Sequence, residues 1–210
     1  MSGLRERKKE RTRQTLSEVA IALFLEKGFD AVSVAEVAAA AEVSKPTLFR
    51  YFPAKEDLAL YRFADHEDEP ARVVTEARAA GVPPLDALRD HVLDGLERRD
   101  PVTGLNDVPA VLDFLRMLYG TPALVARMSA FRSRSEELLA QALGGADPVA
   151  ARLAAAQVVA VLRVLAEENV RRITEGERVE EVLPGAVAAT RLAFRRLAEG
   201  LPYGADPNRA

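Results

Sequence analysis

Apolar residues recur along this chain at three- and four-residue spacing, the period of a helix with one buried face. Leu16, Val19, Ala20, Leu23 and Phe24 form the first such stripe and predict a helix from about residue 11 to residue 27. Gly28 stands where a left-handed cap ends a helix, and Phe29 is placed to pack back on Phe24. Two short helices follow. Ser33 with Glu36 three residues on is a capping box, and Ser44 with Pro46 in the next turn is a second helix start. Val37, Ala38 and Ala41 share one face, Leu48 and Phe52 lie one turn apart, and Val43 occupies the turn, so the pair closes over one apolar seam. A fourth helix opens at Lys55, with Glu56 and Asp57 in its first turn as the macrodipole favours. Pro70 is expected to kink or end it and to mark a hinge.

Past Gly81 the pattern stays helical, with no convincing alternating stretch. Leu85, Leu88, Val92 and Leu96 mark one amphipathic helix; Val108, Val111, Leu112, Leu115 and Leu118 mark another, closed by Gly120. A longer helix runs from about residue 121 to 143 and stops at Gly144-Gly145. Asp147-Pro148 then starts a helix whose stretch AAAQVVAVLRVLA, residues 154–166, is apolar nearly all round and must bury more than one face. The last helix carries Leu183, Val187, Phe194, Leu197 and Leu201. These two helices either complete a monomer core or pair with symmetry mates as a four-helix bundle. The expected architecture is all-α: a three-helix helix-turn-helix domain over residues 1–53, then a larger helical domain over residues 54–210.

The second short helix has a distinctive outward face. Lys45, Thr47, Arg50 and Tyr51 present two cations, a hydroxyl and a phenol, which suits a groove lined by phosphates and base edges. A solvated αα-hairpin is the competing reading. Lys55 favours the first, because a cation at a helix N-terminus is misplaced by about 0.3–1 kcal/mol unless an anion such as phosphate docks there. Residues 1–13 hold Arg5, Arg7, Lys8, Lys9, Arg11 and Arg13 among Glu6 and Glu10. They read as a frayed terminus or as a basic arm laid on nucleic acid.

Composition narrows the chemistry. The 210 residues are 49% apolar and 29% charged, ordinary for a globular protein, and include no cysteine, which excludes disulfides and thiolate chemistry. Only His66 and His91 supply imidazole, and the run His66-Glu67-Asp68-Glu69 fans around a helix, so it reads as a solvated cluster and no metal site is expected. Nucleotide, hydrolase and zinc-protease motifs do not occur, and the acidic pairs Glu136-Glu137 and Glu167-Glu168 point apart, so neither an enzyme nor a cofactor is expected. Net charge is −3, yet all five lysines lie at or before Lys55, which segregates the basic end from an acidic remainder. No uninterrupted apolar run reaches membrane-spanning length and the N-terminus is charged, so a cytoplasmic protein with no membrane partner is expected. In the central helices Phe114, Met117, Tyr119, Met128 and Phe131, with Arg116, Arg132 and His91 as polar handles, either line a malleable cavity or form plain core.

Residues 28–58 resemble the helix-turn-helix signature of the TetR family of transcriptional repressors. The likeness runs through Gly28-Phe29, Ser33-Val34, Val37, Val43-Ser44, Thr47-Leu48-Phe49, Tyr51-Phe52, Lys55 and Leu58. Three positions depart from the family pattern. Glu42 replaces a turn glycine, Ala54 replaces a polar cap, and Phe49 replaces a tyrosine that offers phosphate a hydroxyl. The resemblance implies DNA contact by Ser33, Ser44, Lys45, Pro46, Thr47, Phe49, Arg50, Tyr51 and Lys55. It implies dimerisation through the last two long helices, with Val158, Leu162, Leu165, Val187, Phe194 and Leu197 at the interface. It also implies a C-terminal cavity for a small-molecule effector. The resulting expectation is a repressor that binds a palindromic duplex operator as a homodimer, its recognition helices about 34 Å apart, and is released by that effector. An effector-independent architectural or activating DNA-binding protein, or an all-α enzyme with a vestigial helix-turn-helix, are the alternatives.

Overall fold

A computed structural model gives the structure of the protein and describes residues 2–64 and 66–201. Among the described residues ten α-helices and one short 3-10 turn make up the regular structure, and no strand occurs. The helices are α1 (Ser2–Lys27), α2 (Val34–Ala40), α3 (Lys45–Tyr51), α4 (Lys55–Ala64), α5 (Glu69–Ala79), α6 (Pro84–Glu97), α7 (Pro109–Gly120), α8 (Pro122–Leu143), α9 (Pro148–Thr174) and α10 (Val179–Gly200), with the 3-10 turn at Pro101–Thr103. The all-α fold expected from the spacing is the fold observed. Two compact units divide it: one falls within residues 1–65 and 113–130, the other within 66–112 and 131–210.

The first unit closes on the stripe that periodicity picked out. Leu16, Ala20 and Phe24 of α1 are buried with Val37 of α2, Leu48 of α3 and Leu58 of α4. Phe29 turns back against Phe24, ring centroids 4.9 Å apart, as the Gly28 cap at φ +89° requires. This unit is wider than the 1–53 division expected from the motif. The buried Ser17 hydroxyl donates to the Leu58 carbonyl at 2.7 Å and binds α4 to α1, while Phe63 of α4 stacks on Phe114 of α7 at 6.1 Å. The helix expected from residue 11 in fact begins at Ser2, so the basic segment is its first three turns rather than an arm.

In the second unit Val74, Leu85, Leu88, Leu139, Leu143, Val158, Phe194 and Leu197 form one buried cluster, and Leu96, Leu105, Ile173, Val179 and Val182 form another. Pro70 does not end a helix; it lies in the first turn of α5, a helix the apolar pattern did not reveal. Gly104 (φ +72°) is required by close approach: a Cβ there would lie 2.2 Å from the Ala166 carbonyl oxygen of α9. The buried Asn169 amide donates to the neighbouring Thr103 carbonyl at 2.9 Å, fixing that loop on α9. Although charged residues interrupt its apolar runs, α9 is by length and composition long and apolar enough to cross a membrane, with a mean hydropathy of 1.8 over its most apolar window. Its inner side supplies Ala151, Ala154, Ala155, Val158 and Val159 to the core. Three of the interface residues implied by the resemblance, Val158, Phe194 and Leu197, are buried in that core within the chain itself. Leu162 and Val187 are partly buried against the same clusters, and Leu165 is half-buried.

Candidate nucleic-acid interface

The two short helices owe their existence to their caps, because seven residues are too few to be stable alone. Ser33 accepts from the Glu36 amide at 3.2 Å, and the Ser33 amide donates back to the Glu36 carboxylate at 2.8 Å. The hydrogen bond from the Ser33 backbone to the carboxylate, and then the Ser33 side chain, lower the Glu36 pKa and hold it ionised at the positive end of α2. Ser44 accepts from the Thr47 amide at 3.2 Å, and its hydroxyl shares a 2.8 Å hydrogen bond with the Thr47 hydroxyl. Pro46 occupies the first turn of α3, where a missing N–H is harmless.

Between them the chain turns through a Schellman arrangement. The Val43 amide donates to the Ala38 carbonyl at 2.9 Å and the Glu42 amide to the Ala39 carbonyl at 3.1 Å. Glu42 sits at φ +53°, the left-handed region anticipated for this position, and a side chain there costs about 1 kcal/mol. The turn sets α3 with Leu48 and Phe52 buried and with Lys45, Pro46, Phe49 and Arg50 exposed. Phe49 is 45% exposed, a large apolar ring between two cations. Arg50 lies over the Tyr51 ring at 5.4 Å, which orients the guanidinium. Thr47 and Tyr51 are half-buried, and the serines at positions 33 and 44 have their hydroxyls engaged in capping.

Lys55 differs from its expected setting. Its ammonium donates to the Phe29 carbonyl and lies 4.2 Å from the centroid of the Phe29 ring and 5.5 Å from that of Phe24. A carbonyl acceptor just past the end of α1 and two aromatic faces thus receive the ammonium at the positive start of α4, and the electrostatic misplacement read from the sequence is offset. An ammonium has three N–H donors, so a phosphate contact remains compatible with this arrangement. Ala54 lacks a capping side chain, but Asp57 three residues on accepts from its amide at 3.1 Å, the carboxylate half of a capping box.

The basic segment read as a frayed terminus or an arm is instead helical and forms a second cationic feature. Because α1 continues through the basic segment, Arg7, Lys8, Arg11 and Thr12 line a groove of about 640 Å³ that ends at Ala41 and Val43 of the α2–α3 turn. No apolar stripe marks residues 7–13, since that part of α1 is mostly solvated; the helix-favouring Glu, Arg and Lys content was the available signal. The candidate effector residues are divided between the units. Phe114 stacks on Phe63, Arg116 pairs with Asp113 at 2.6 Å, Met117 lines a cleft of about 440 Å³ with Phe24 and Phe29, Met128 is buried and Tyr119 is exposed. In the other unit Phe131 and Arg132 are half-buried, and His91 donates to Glu69 at 3.1 Å. The acidic run thus gains its second imidazole from a distant helix: His66 approaches the other Glu69 oxygen at 2.8 Å. Among the described residues no group of three metal ligands converges.

The segment that carries these residues is similar to known proteins. The family model described as bacterial regulatory proteins, tetR family, matches residues 16–61, which span the C-terminal part of α1, all of α2 and α3 and most of α4. The HTH-type transcriptional regulator TcmR of Streptomyces glaucescens is 36% identical over 138 residues, covering 65% of this chain and 59% of TcmR. The chain spans 59% and 30% of the lengths of the curated relatives it matches. NalD of Pseudomonas aeruginosa, the secondary repressor of the MexAB-OprM multidrug efflux pump, shares the fold at a TM-score of 0.55 and 19% identity over 89% of this chain and 97% of NalD. Thermus thermophilus FadR, a TetR-family repressor solved with lauroyl-CoA, does so at 0.50 and 21% over 94% of this chain and 99% of FadR. The helix-turn-helix that its caps and turn build is thus that of the TetR family of bacterial regulatory proteins.

Proposed function

We propose that the protein is a transcriptional regulator, not an enzyme, that binds duplex DNA as a homodimer and represses until a small molecule releases it. The observation that carries the DNA-binding part is the exposed Lys45–Phe49–Arg50 face of α3, pre-organised by Ser44 and Pro46 within the segment that the family model matches. Arg50 and Lys45 suit phosphates or guanine edges, and Phe49 suits a thymine methyl or sugar. Ser33, Ser44, Pro46 and Thr47 act by shaping the turn and presenting backbone amides, with Tyr51 and Lys55 at the margin of the contact. Arg7, Lys8 and Arg11 add phosphate contacts along α1. DNA reading belongs to the N-terminal part, effector binding and dimerisation to the rest, and a cytoplasmic location goes with this role. The effector part rests on the likeness to that family alone.

The dimer face is reassigned. On α9, Val149, Leu153 and Val164 point outward at 61%, 58% and 52% exposure, and Leu192 of α10 is exposed as well. An apolar stripe of this kind on a long helix is the feature a symmetric helix-pair interface would cover. The test is selection of duplexes from a random library by the full-length protein, with sedimentation of the same preparation. Enrichment of a palindrome by a dimer is expected; no enrichment at low salt would overturn the reading.

A further inference from the structure

The start of α4 is tied to α8 by one buried carboxylate. Asp57 is only 8% exposed, and each of its oxygens has a donor: Oδ2 takes the Ala54 amide at 3.1 Å and Oδ1 takes Arg127 Nε at 2.8 Å. The Ala54 amide is among the N–H groups that the first turn of a helix leaves unpaired. Lys55 stands in the same turn, anchored to the Phe29 carbonyl. The first turn of α4 is thus a junction within the first compact unit: it meets the turn after α1 through Lys55 and the N-terminal part of α8 through Asp57 and Arg127. A buried carboxylate that loses its cation must rotate toward water or stay half-satisfied, and in rotating it would release the Ala54 amide.

We propose that Arg127 is a positioning residue for DNA binding: by holding Asp57 it fixes the first turn of α4, and with it the amides and the lysine presented to a phosphate. Arg127 belongs to the middle of the chain, seventy residues from Asp57, yet it acts within the unit that carries the helix-turn-helix. The inference rests on the DNA-binding reading above. The bland alternative is an ion pair with a half-exposed arginine, of little consequence for either stability or binding.

The sign of one substitution separates the two. Asp57→Asn removes a negative charge near the duplex, so simple electrostatics would tighten binding, whereas loss of positioning would weaken it. The probe is a random-sequence duplex, because phosphate contact needs no operator, titrated with full-length protein at about 50 mM salt. Arg127→Met and Asp57→Asn are each expected to weaken binding about fivefold, with the double variant no weaker than either single one. Amide exchange at Ala54 should quicken in Arg127→Met without DNA, a readout that loss of charge alone would not move. Binding by Asp57→Asn equal to or tighter than wild type, additive effects in the double variant, or unchanged Ala54 exchange would each overturn the inference. If Asp57→Asn does not fold, the Arg127→Met arms decide alone. Wild-type protein that fails to bind any duplex would remove the DNA reading and this inference together.

Discussion

Helices α3 and α9 each turn one face away from the core of their own unit, and the two faces are chemically opposite. The seven residues of α3 expose Lys45, Phe49 and Arg50, while the twenty-seven of α9 expose Val149, Leu153 and Val164. A helix as short as α3 cannot hold itself; it stands because Ser44 caps it and because Leu48 and Phe52 are buried. Its outward cations are stable in water and suited to a polyanion. α9 has the reverse character: its length and apolar composition make the helix easy to form, but its exposed stripe leaves apolar area in contact with water. Pre-organisation is the working feature of the first face, and unspent burial is that of the second.

The largest effect that can break this comparison lies on α9 itself. Val158→Glu buries an unpaired charge in the second unit and should unfold it, at a cost of about 3–5 kcal/mol. Leu153→Glu, on the outward stripe, should keep the monomer folded within about 0.5 kcal/mol and abolish the dimer. Thermal melts with sedimentation check both; a dimeric Leu153→Glu protein would mean that the stripe is not the interface.

Lys55 comes next, and the structure reverses the sign that the sequence suggested. Since the ammonium holds the Phe29 carbonyl and lies over two rings, Lys55→Ala should lower stability by about 1–2 kcal/mol, besides weakening DNA binding. A melting temperature equal to or above wild type would show that these contacts contribute nothing.

The units should also part in their response to pH, because both histidines lie in the one that carries α9. The hydrogen bond to Glu69 raises the His91 pKa above 6.5 against the opposing effects of burial and of Arg98, with Asp94 adding to the rise. His66 and then His91 hold Glu69 well below the usual carboxylate range. A raised histidine contributes stability that is fully present below its unfolded pKa of 6.5 and is lost as pH rises through the folded value; a depressed Glu69 contributes above 4.5 and is lost as pH falls through its folded value. The cluster is therefore most stabilising between these unfolded values. Wild type should melt higher than His91→Gln near pH 6, and the gap should close as pH rises past the folded His91 value. A gap that does not change with pH would refute the coupling.

The smallest effect sharpens the account of α3. Glu42→Gly relieves the left-handed strain in the turn that aims α3, offset in part by unfolded-chain entropy, so a gain of about 0.5 kcal/mol is expected. DNA binding should tighten modestly at low salt as a carboxylate is removed. A lower melting temperature would show that the glutamate is tolerated without strain.

What was legible in the chain depended on local chemistry. Ser33-Glu36, Ser44-Pro46 and Gly28-Phe29 act through hydrogen bonds and rotamer limits spanning two to four residues, so their spacing alone located the turn, the caps and the outward face of α3. Where a helix carried a single apolar stripe, as in α1, the stripe was the core. α9 offered no such choice, because valines, leucines and alanines surround it, and only the packing of α8 and α10 residues decided that Val158 faces inward and Leu153 outward. The same holds for the charged groups. Nothing near position 55 announces Phe29, nothing near 57 announces Arg127, and nothing near 69 announces His91, since each pairing lies 22 to 70 residues away and exists only once the helices are packed. Short-range hydrogen bonds are written in residue order; long-range electrostatic partners are chosen by the tertiary structure, because distance in space, not in sequence, sets their energy.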